Sequence, residues 1–314
     1  MLKVVTSWMS PAGPNARLSI LIFHRVLSAR DPLFPEEIDA PRFDQICRWL
    51  KASFNVLPLD AAVASLKAGT LPQRAACITF DDGYADNFRV AMPILQQQGL
   101  TATFFIATGF LDGGRMWNDT IIAAMRDCRA EVMDLRELDL GRHPLQSLNE
   151  RGTAILTLIR QLKHRPMQER ATLTEQIALA AQVQLPVDLM MTSAEVLAMR
   201  RGGMQIGAHT VSHPILATLT AAQAREEVES SKQSLEQLLG ERVGLFAYPN
   251  GKPVEDYTSE TVEVIRSLDF DAAVSTAWGA STQRDDMFQL RRFTPWDKTR
   301  SRFGLRMLSN LRVA

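Results

Sequence analysis

Apolar residues fall into short runs that stop at polar or chemically useful residues. Leu18-Ser19-Ile20-Leu21-Ile22-Phe23 ends at His24 and Arg25, Ala76 to Phe80 ends at Asp81, and Thr103 to Ala107 ends at Thr108 and Gly109. The pattern continues through Ile206 to His209, Leu245 to Pro249, Ala272 to Thr276 and Gln289 to Arg292. Short apolar runs bounded by turn residues read as buried strands. Between them, Phe43 to Leu50, Asn87 to Gln98, Ala194 to Arg200 and Ala221 to Leu239 carry apolar residues at three- and four-residue steps, the spacing of one helix face. Thr192-Ser193-Ala194-Glu195 reads as a capping-box start. Strands alternating with helices predict a parallel sheet. The distinctive residues gather where the strands end, as they do in a (β/α) barrel, so the pattern favours a barrel of about seven or eight strands over an open doubly wound sheet.

One interval is too long for that alternation. Residues 115–190, between Asp82 and His209, hold helical stretches at Asp119 to Cys128, Ala154 to Leu162 and Gln168 to Gln182, and one strand-like run from Val132 to Leu140. We read this as a mainly helical insertion, either a substrate lid on the active-site side or extra packing on the outside. The chain then divides into an N-terminal extension (1–17), a barrel (18–297) and a C-terminal segment (298–314). In that last segment Lys298, Arg300, Arg302, Arg306 and Arg312 mix with Phe303, Leu305, Leu308 and Leu311. This suggests a short basic amphipathic helix, placed against anionic lipid as a peripheral membrane contact or packed on the barrel.

Composition narrows the function. Hydrophobic residues make up 46% of the 314 positions, ample for a core, and 35 basic residues balance 35 acidic ones. Zero formal charge argues against a nucleic-acid partner bound through a broad basic surface. Cys47, Cys77 and Cys128 are scattered and form no Cys-x-x-Cys pair, so they read as buried apolar residues and not as disulfides or zinc thiolates. Residues 1–18 lack the apolar core of a signal peptide, and the run Ile20 to Phe23 is far too short to span a bilayer. The expectation is cytoplasmic residence and no transmembrane segment.

The candidate chemistry lies at two strand ends. Asp81 and Asp82 sit together before Gly83, where their repulsion must be offset by a cation or a proton. His209 and His213 stand four residues apart, close enough for both imidazoles to reach one metal. Imidazole nitrogens with a carboxylate oxygen suit Zn2+, or another divalent metal such as Co2+ or Ni2+. Three protein ligands also leave coordination positions open for water or substrate.

The string Thr79-Phe80-Asp81-Asp82-Gly83-Tyr84 resembles the first signature of the polysaccharide deacetylases (carbohydrate esterase family 4, the NodB homology domain). His209-Thr210-x-x-His213 resembles the second, and Phe246-Ala247-Tyr248-Pro249-Asn250-Gly251 partly matches the third, Arg-x-Pro-Tyr-Gly. The resemblance implies a distorted, incomplete barrel, with Asp81 as catalytic base and Asp82, His209 and His213 as metal ligands. It also implies an oxyanion site at the Tyr248-Pro249-Asn250 turn, with the Asn250 backbone N–H as donor. The chain departs from the pattern in four places, one of them Asn250 where the family has a tyrosine. Ala247 stands where the family has an arginine that steadies the aspartate, Leu290-Arg291-Arg292 replaces a leucine-x-histidine string, and no Asp-x-x-Asp-Trp string occurs.

These departures leave roles to fill. His24, at a strand end, is the candidate proton donor to the leaving amine, its alternative being a core histidine. Arg291 or Arg292 is the candidate replacement for the missing arginine. Tyr84 follows the aspartates and is expected to line the cleft. Trp117 follows Gly113-Gly114-Arg115, which either projects its ring toward a sugar or packs it in the core. His143 and His164 are expected to be solvent-exposed. The activity expected is metal-dependent removal of acetyl from an N-acetylated glycan or a lipid-linked glycan precursor. Alternatives are deformylation or hydrolysis of a non-sugar amide, or a non-catalytic carbohydrate binder that keeps the metal. The retained Asp81 argues against the binder, because a binding site gains nothing from a base. The sequence does not indicate an oligomeric state.

Overall fold

In the computed structural model, which describes residues 2–313, the apolar runs become a curled seven-stranded parallel sheet. The strands are β1 (Leu18–Phe23), β2 (Asn55–Val56), β3 (Ala75–Phe80), β4 (Thr103–Ile106), β5 (Val132–Leu135), β6 (Gly141–Pro144), β7 (Gln205–Ala208), β8 (Leu245–Ala247) and β9 (Ala272–Val274). The sheet runs β1-β3-β4-β7-β8-β9, with β2 beside the start of β3, while β5 and β6 form a separate antiparallel pair. The fold is α/β, a distorted (β/α) barrel.

The predicted strand Gln289 to Arg292 needs correction. Leu290 bridges to Val274 and Phe293 bridges to Leu21, so this segment closes the curl between β9 and β1 through isolated bridges and not a ladder. The Arg292 N–H turns aside to the Ala277 carbonyl at 3.0 Å, which interrupts the pairing. The two-residue β2 has too little sequence to leave a pattern.

Alternation along β1 and β3 decides what enters the barrel. Leu18 and Ile20 on β1 and Ala75 and Cys77 on β3 join Phe105, Leu245 and Ala272 in an inner cluster, closed at one end by the helix Leu59–Lys67. Leu21, Phe23, Ile78 and Phe80 face the outer layer, where helices such as Ala40–Ser53 cover them. Phe80 stacks on Phe23 at 5.2 Å and on Phe104 at 4.7 Å across the neighbouring strands. Four residues on from Ile20 and Cys77, the inward register of β1 reaches His24 and that of β3 reaches Asp81.

The predicted helices form with small shifts at their ends: Ala40–Ser53, Met92–Gln98 after one wide turn at Asn87–Ala91, Ser193–Arg201 behind the Thr192 capping box, and Ala221–Leu239. The insertion contributes the helices Trp117–Asp127, Leu148–Leu162 and Met167–Ala181 and the β5–β6 hairpin. They enclose a core of their own around Ile121, Met133, Leu135, Ile155, Leu158 and Ile177. The run Val132 to Leu140 is thus the first half of a hairpin. His143, expected at the surface, is buried in this unit with Nε2 bonded to the Leu140 carbonyl at 2.8 Å, because the β6 alternation points it inward. His164 is exposed, and the three cysteines are buried and free.

The C-terminal helix Arg300–Arg312 buries Phe303, Met307 and Leu311 in the main core, and the Asn310 side chain accepts a hydrogen bond from Ser19 of β1 at 2.8 Å. The apolar face of this helix is therefore packed on the barrel, the second of the two placements that the sequence offers. The helix Leu2–Met9 packs beside it. Among the described residues no helix is long and apolar enough to cross a membrane.

Phe303→Ala is expected to destabilise the protein by about 3–5 kcal/mol in denaturant unfolding. Leu305→Ala on the same helix, 66% exposed, is expected to cost no more than about 0.5 kcal/mol. Equal effects would show that the helix is not docked in this register.

Candidate metal centre and catalytic carboxylate

β3 ends by delivering Asp81 on the inner face, and the chain then turns sharply through Asp82 (φ +77°) and Gly83 (φ +92°). A Cβ at Gly83 would press on the Ile106 side chain at 3.3 Å, so both the turn and the close approach call for glycine. Backbone bonds hold the turn, with Ala107 N–H donating to the Asp82 carbonyl at 3.2 Å and Met191 N–H to the Gly83 carbonyl at 2.9 Å.

His209 leaves the end of β7 with its Nδ1 2.7 Å from the Ala247 carbonyl. A carbonyl only accepts, so the proton is on Nδ1 and the Nε2 lone pair faces inward. His213 follows through a turn in which Thr210 (φ +65°) and His213 (φ +54°) are both left-handed. Glu227 on the helix Ala221–Leu239 fixes that turn, accepting from Val211 N–H (3.0 Å), Ser212 N–H (2.9 Å) and Ser212 Oγ (2.6 Å). Nothing in the sequence pattern marked Glu227; its only signal is an acidic residue on a helix beginning a few residues after the histidines.

Asp82 Oδ1 stands 3.5 Å from His209 Nε2 and 3.4 Å from His213 Nε2, too long for good hydrogen bonds, and it is buried with no hydrogen-bond partner. One ligand atom from each residue lies within 4.8 Å of the other two. An orphaned buried carboxylate oxygen facing two imidazole nitrogens fits a borderline divalent cation. Burial raises the Asp82 carboxyl pKa, but His209, when protonated, outweighs it and holds the group below the usual carboxylate range. Burial pulls His213 down to about 4, leaving its imidazole neutral and ready to donate a lone pair.

Arg292 is buried and grips Asp81 with two parallel bonds, Nη1 to Oδ1 and Nη2 to Oδ2, each 2.7 Å. Its Nε donates to the Ser275 carbonyl at 2.9 Å and Nη1 also reaches Thr79 Oγ1 at 3.2 Å. Burial pushes the Asp81 carboxyl up, yet the Arg292 charge more than offsets this and keeps it ionised. Arg291 is turned the other way, 3.3 Å from Asp285 and 30% exposed, so it is removed from the candidate site.

A cavity of about 490 Å³ opens above these groups. His24, Asn250, Thr276, Trp278 and Trp296 line it from the barrel, and Trp117, Asn118, Ile159, Lys163 and Arg170 line it from the insertion. The insertion thus sits on the active-site side. His24 is exposed to this cleft, not bonded into the core, and its ring makes no hydrogen bond among the described residues. Asn250 is left-handed (φ +58°), its carbonyl accepts from Thr276 Oγ1 at 2.9 Å, and its N–H has no partner among the described residues.

Two expected cleft residues lie elsewhere. Tyr84 is buried with its hydroxyl 3.1 Å from Asp119 Oδ2 and the Arg25 guanidinium 4.6 Å above its ring. Burial raises that Asp119 carboxyl to about 6, with Arg25 opposing the shift. Tyr248 is a core residue stacked on Tyr257 at 3.8 Å, its hydroxyl donating to the Phe288 carbonyl, and Pro249 is buried behind it. The backbone turns after Asp82 and before Asn250 explain both: they carry the functional groups into the cleft and send the neighbouring rings out. Trp278 and Trp296 escaped sequence reading because they stand on loops with no periodicity.

Residues 68–147 and 160–273 match the family model described as polysaccharide deacetylase. The chain is 21% identical over 289 residues to the Bacillus subtilis protein YxkH, provisionally named a polysaccharide deacetylase; the match spans 91% of this chain and 74% of that one. Among solved structures it resembles the Streptococcus pyogenes deacetylase PplD in complex with acetate (TM-score 0.62, 18% identity, 94% of this chain and 98% of that one). It also resembles IcaB from Ammonifex degensii (TM-score 0.61, 18% identity, 95% and 98%).

Glu227→Ala is expected to lower Zn2+ affinity by roughly 10- to 100-fold, as loss of an outer-shell partner does, when measured by chelator competition. Unchanged affinity would show that the histidine turn holds its shape without Glu227.

Proposed function

The chain belongs to the polysaccharide deacetylase family and is a hydrolase of carbon–nitrogen bonds of that type, and on that premise we propose that it removes N-acetyl groups from an amino sugar in a metal-dependent reaction with Asp81 as general base. The observation that carries this reading is the pairing of two differently held carboxylates at the floor of one cleft. Asp82 Oδ1 is unpartnered and faces two imidazoles, while Asp81 is locked by Arg292.

Asp82, His209 and His213 would hold the cation. When bound it would polarise the amide carbonyl and acidify the attacking water. Asp81, kept ionised and aimed by Arg292, accepts the proton of that water, each of its oxygens retaining a second lone pair beyond the arginine bonds. The free N–H of Asn250 is a donor for the oxyanion. His24 is assigned the proton given to the departing amine, supported by its exposure to the cleft. The rings of Trp117, Trp278 and Trp296 offer apolar faces to a pyranose.

Acetate release from short N-acetylglucosamine oligomers by the Zn2+-loaded protein tests the reading. Asp81→Asn is expected to keep the metal while turnover falls roughly 10²- to 10⁴-fold. Because Arg292 is buried opposite, the same change should cost stability on the order of 3–5 kcal/mol, so both proteins are assayed well below their melting temperatures. Undiminished turnover would place the base elsewhere.

His24→Ala is expected to slow the N-acetyl sugar by roughly 10²- to 10⁴-fold and to spare an activated acetate ester, whose leaving group needs no proton. Equal loss on both substrates would remove His24 from the proton-donor role.

A further inference from the structure

Two arginines are buried in this protein, and only one has a counter-charge. Arg292 grips Asp81, whereas Arg170, 7% exposed, has no carboxylate within ion-pair distance among the described residues. Its Nη1 donates to the Lys163 carbonyl at 3.1 Å and its guanidinium lies 4.9 Å over the Trp117 ring. Burial lowers its pKa and no acidic neighbour offsets that. A buried cation without an anion is costly unless a ligand supplies one. Lys163, which lines the catalytic cavity beside it, also makes no ion pair among the described residues.

Arg170 and Trp117 form the wall between the catalytic cavity and a second one. That neighbour is a groove of about 670 Å³ between the helix Met167–Ala181 and residues 110–120, within the size range of ligand pockets. Phe110, Ala171, Ala178, Leu179, Val183 and Leu185 make most of its surface apolar, with Arg115, Glu175 and Gln182 among its polar lining. At its rim Leu179 is 76% and Met167 48% exposed, which extends the apolar lining to the surface. The groove also reaches Ser212, next to the metal ligand His213. Outward from the metal site, the order is therefore sugar-sized cavity, two unpaired cations, apolar groove.

Resting on the deacetylase reading, we propose that the substrate is an N-acetylated amino sugar joined through phosphate to an apolar chain, with the phosphate between Lys163 and Arg170 and the chain in the groove. Charge complementarity selects an anion at the wall. The mostly apolar surface beyond it selects a hydrocarbon, and Glu175 in the groove disfavours a continuing acidic polysaccharide.

The test uses the Zn2+-loaded full chain and compares kcat/KM for acetate release from three probes: the N-acetylglucosamine tetramer, N-acetylglucosamine 1-phosphate and farnesyl diphospho-N-acetylglucosamine. The farnesyl probe is expected to exceed the 1-phosphate at least tenfold. Ala178→Trp, which fills the groove, should bring the ratio of those two near one, and Arg170→Met should cut the farnesyl probe at least tenfold relative to the tetramer. Farnesyl phosphate binding by calorimetry, weakened at least tenfold in both variants, gives a readout independent of turnover. Turnover of the tetramer with no preference for the farnesyl probe overturns the inference and leaves the deacetylase reading standing. Arg170-dependent farnesyl phosphate binding with no acetate released from any probe supports the inference and overturns that reading instead.

Discussion

Two carboxylates adjacent in sequence and both nearly sealed from water can be ionised together only if each has its own positive partner. The bidentate Arg292–Asp81 pair is the constraint from which the rest of the site follows. It fixes the aspartate's plane, frees the neighbouring Asp82 to look for a different cation, and ties the end of β3 to the segment that closes the barrel. A buried pair of this kind repays its desolvation only with good geometry and full hydrogen bonding. Here the Ser275 carbonyl and Thr79 hydroxyl take two of the three remaining guanidinium donors, so four of the five N–H groups are bonded.

The site also concentrates backbone strain. Asp82, Thr210, His213 and Asn250 all have positive φ without being glycine, and all four lie at or beside the proposed chemistry. Asp, Asn and His tolerate this region better than most residues, but a threonine in it is unusual. Such conformations persist where the surroundings over-determine them. The Glu227 clamp, the backbone bonds from Thr108 and Gly109 to the histidine turn, and the Thr276 bond to Asn250 provide that surround.

Much of this was legible in the sequence because it was local. The buried runs located the sheet, the doubled aspartate and spaced histidines located the metal centre, and the excess length between them located the insertion. What was not legible depended on the direction of side chains after a turn or on partners distant in the chain. Tyr84 lies two residues beyond Asp82 and Tyr248 two before Asn250, yet the left-handed turns at Asp82-Gly83 and at Asn250 reverse the outlook. Arg291 and Arg292 are indistinguishable by composition; only their opposite facings in the closing segment send one to Asp81 and the other to Asp285. The wall formed by Arg170 and the loop tryptophans has no periodic signature at all.

The sequence separation of the closing contacts has a consequence for the order of assembly. Arg292 lies 211 residues beyond Asp81, and β1 accepts a hydrogen bond from Phe293 N–H and donates one through Ser19 to Asn310 of the C-terminal helix. Such distant pairing makes ring closure a late event in folding, after the loop-closure entropy of most of the chain has been overcome. During synthesis Asp82, His209 and His213 all leave the ribosome well before the arginine that grips Asp81. The cluster of one carboxylate and two imidazoles can therefore come together before the Asp81 carboxylate gains its buried counter-charge, and the two halves of the cleft floor are completed in that order.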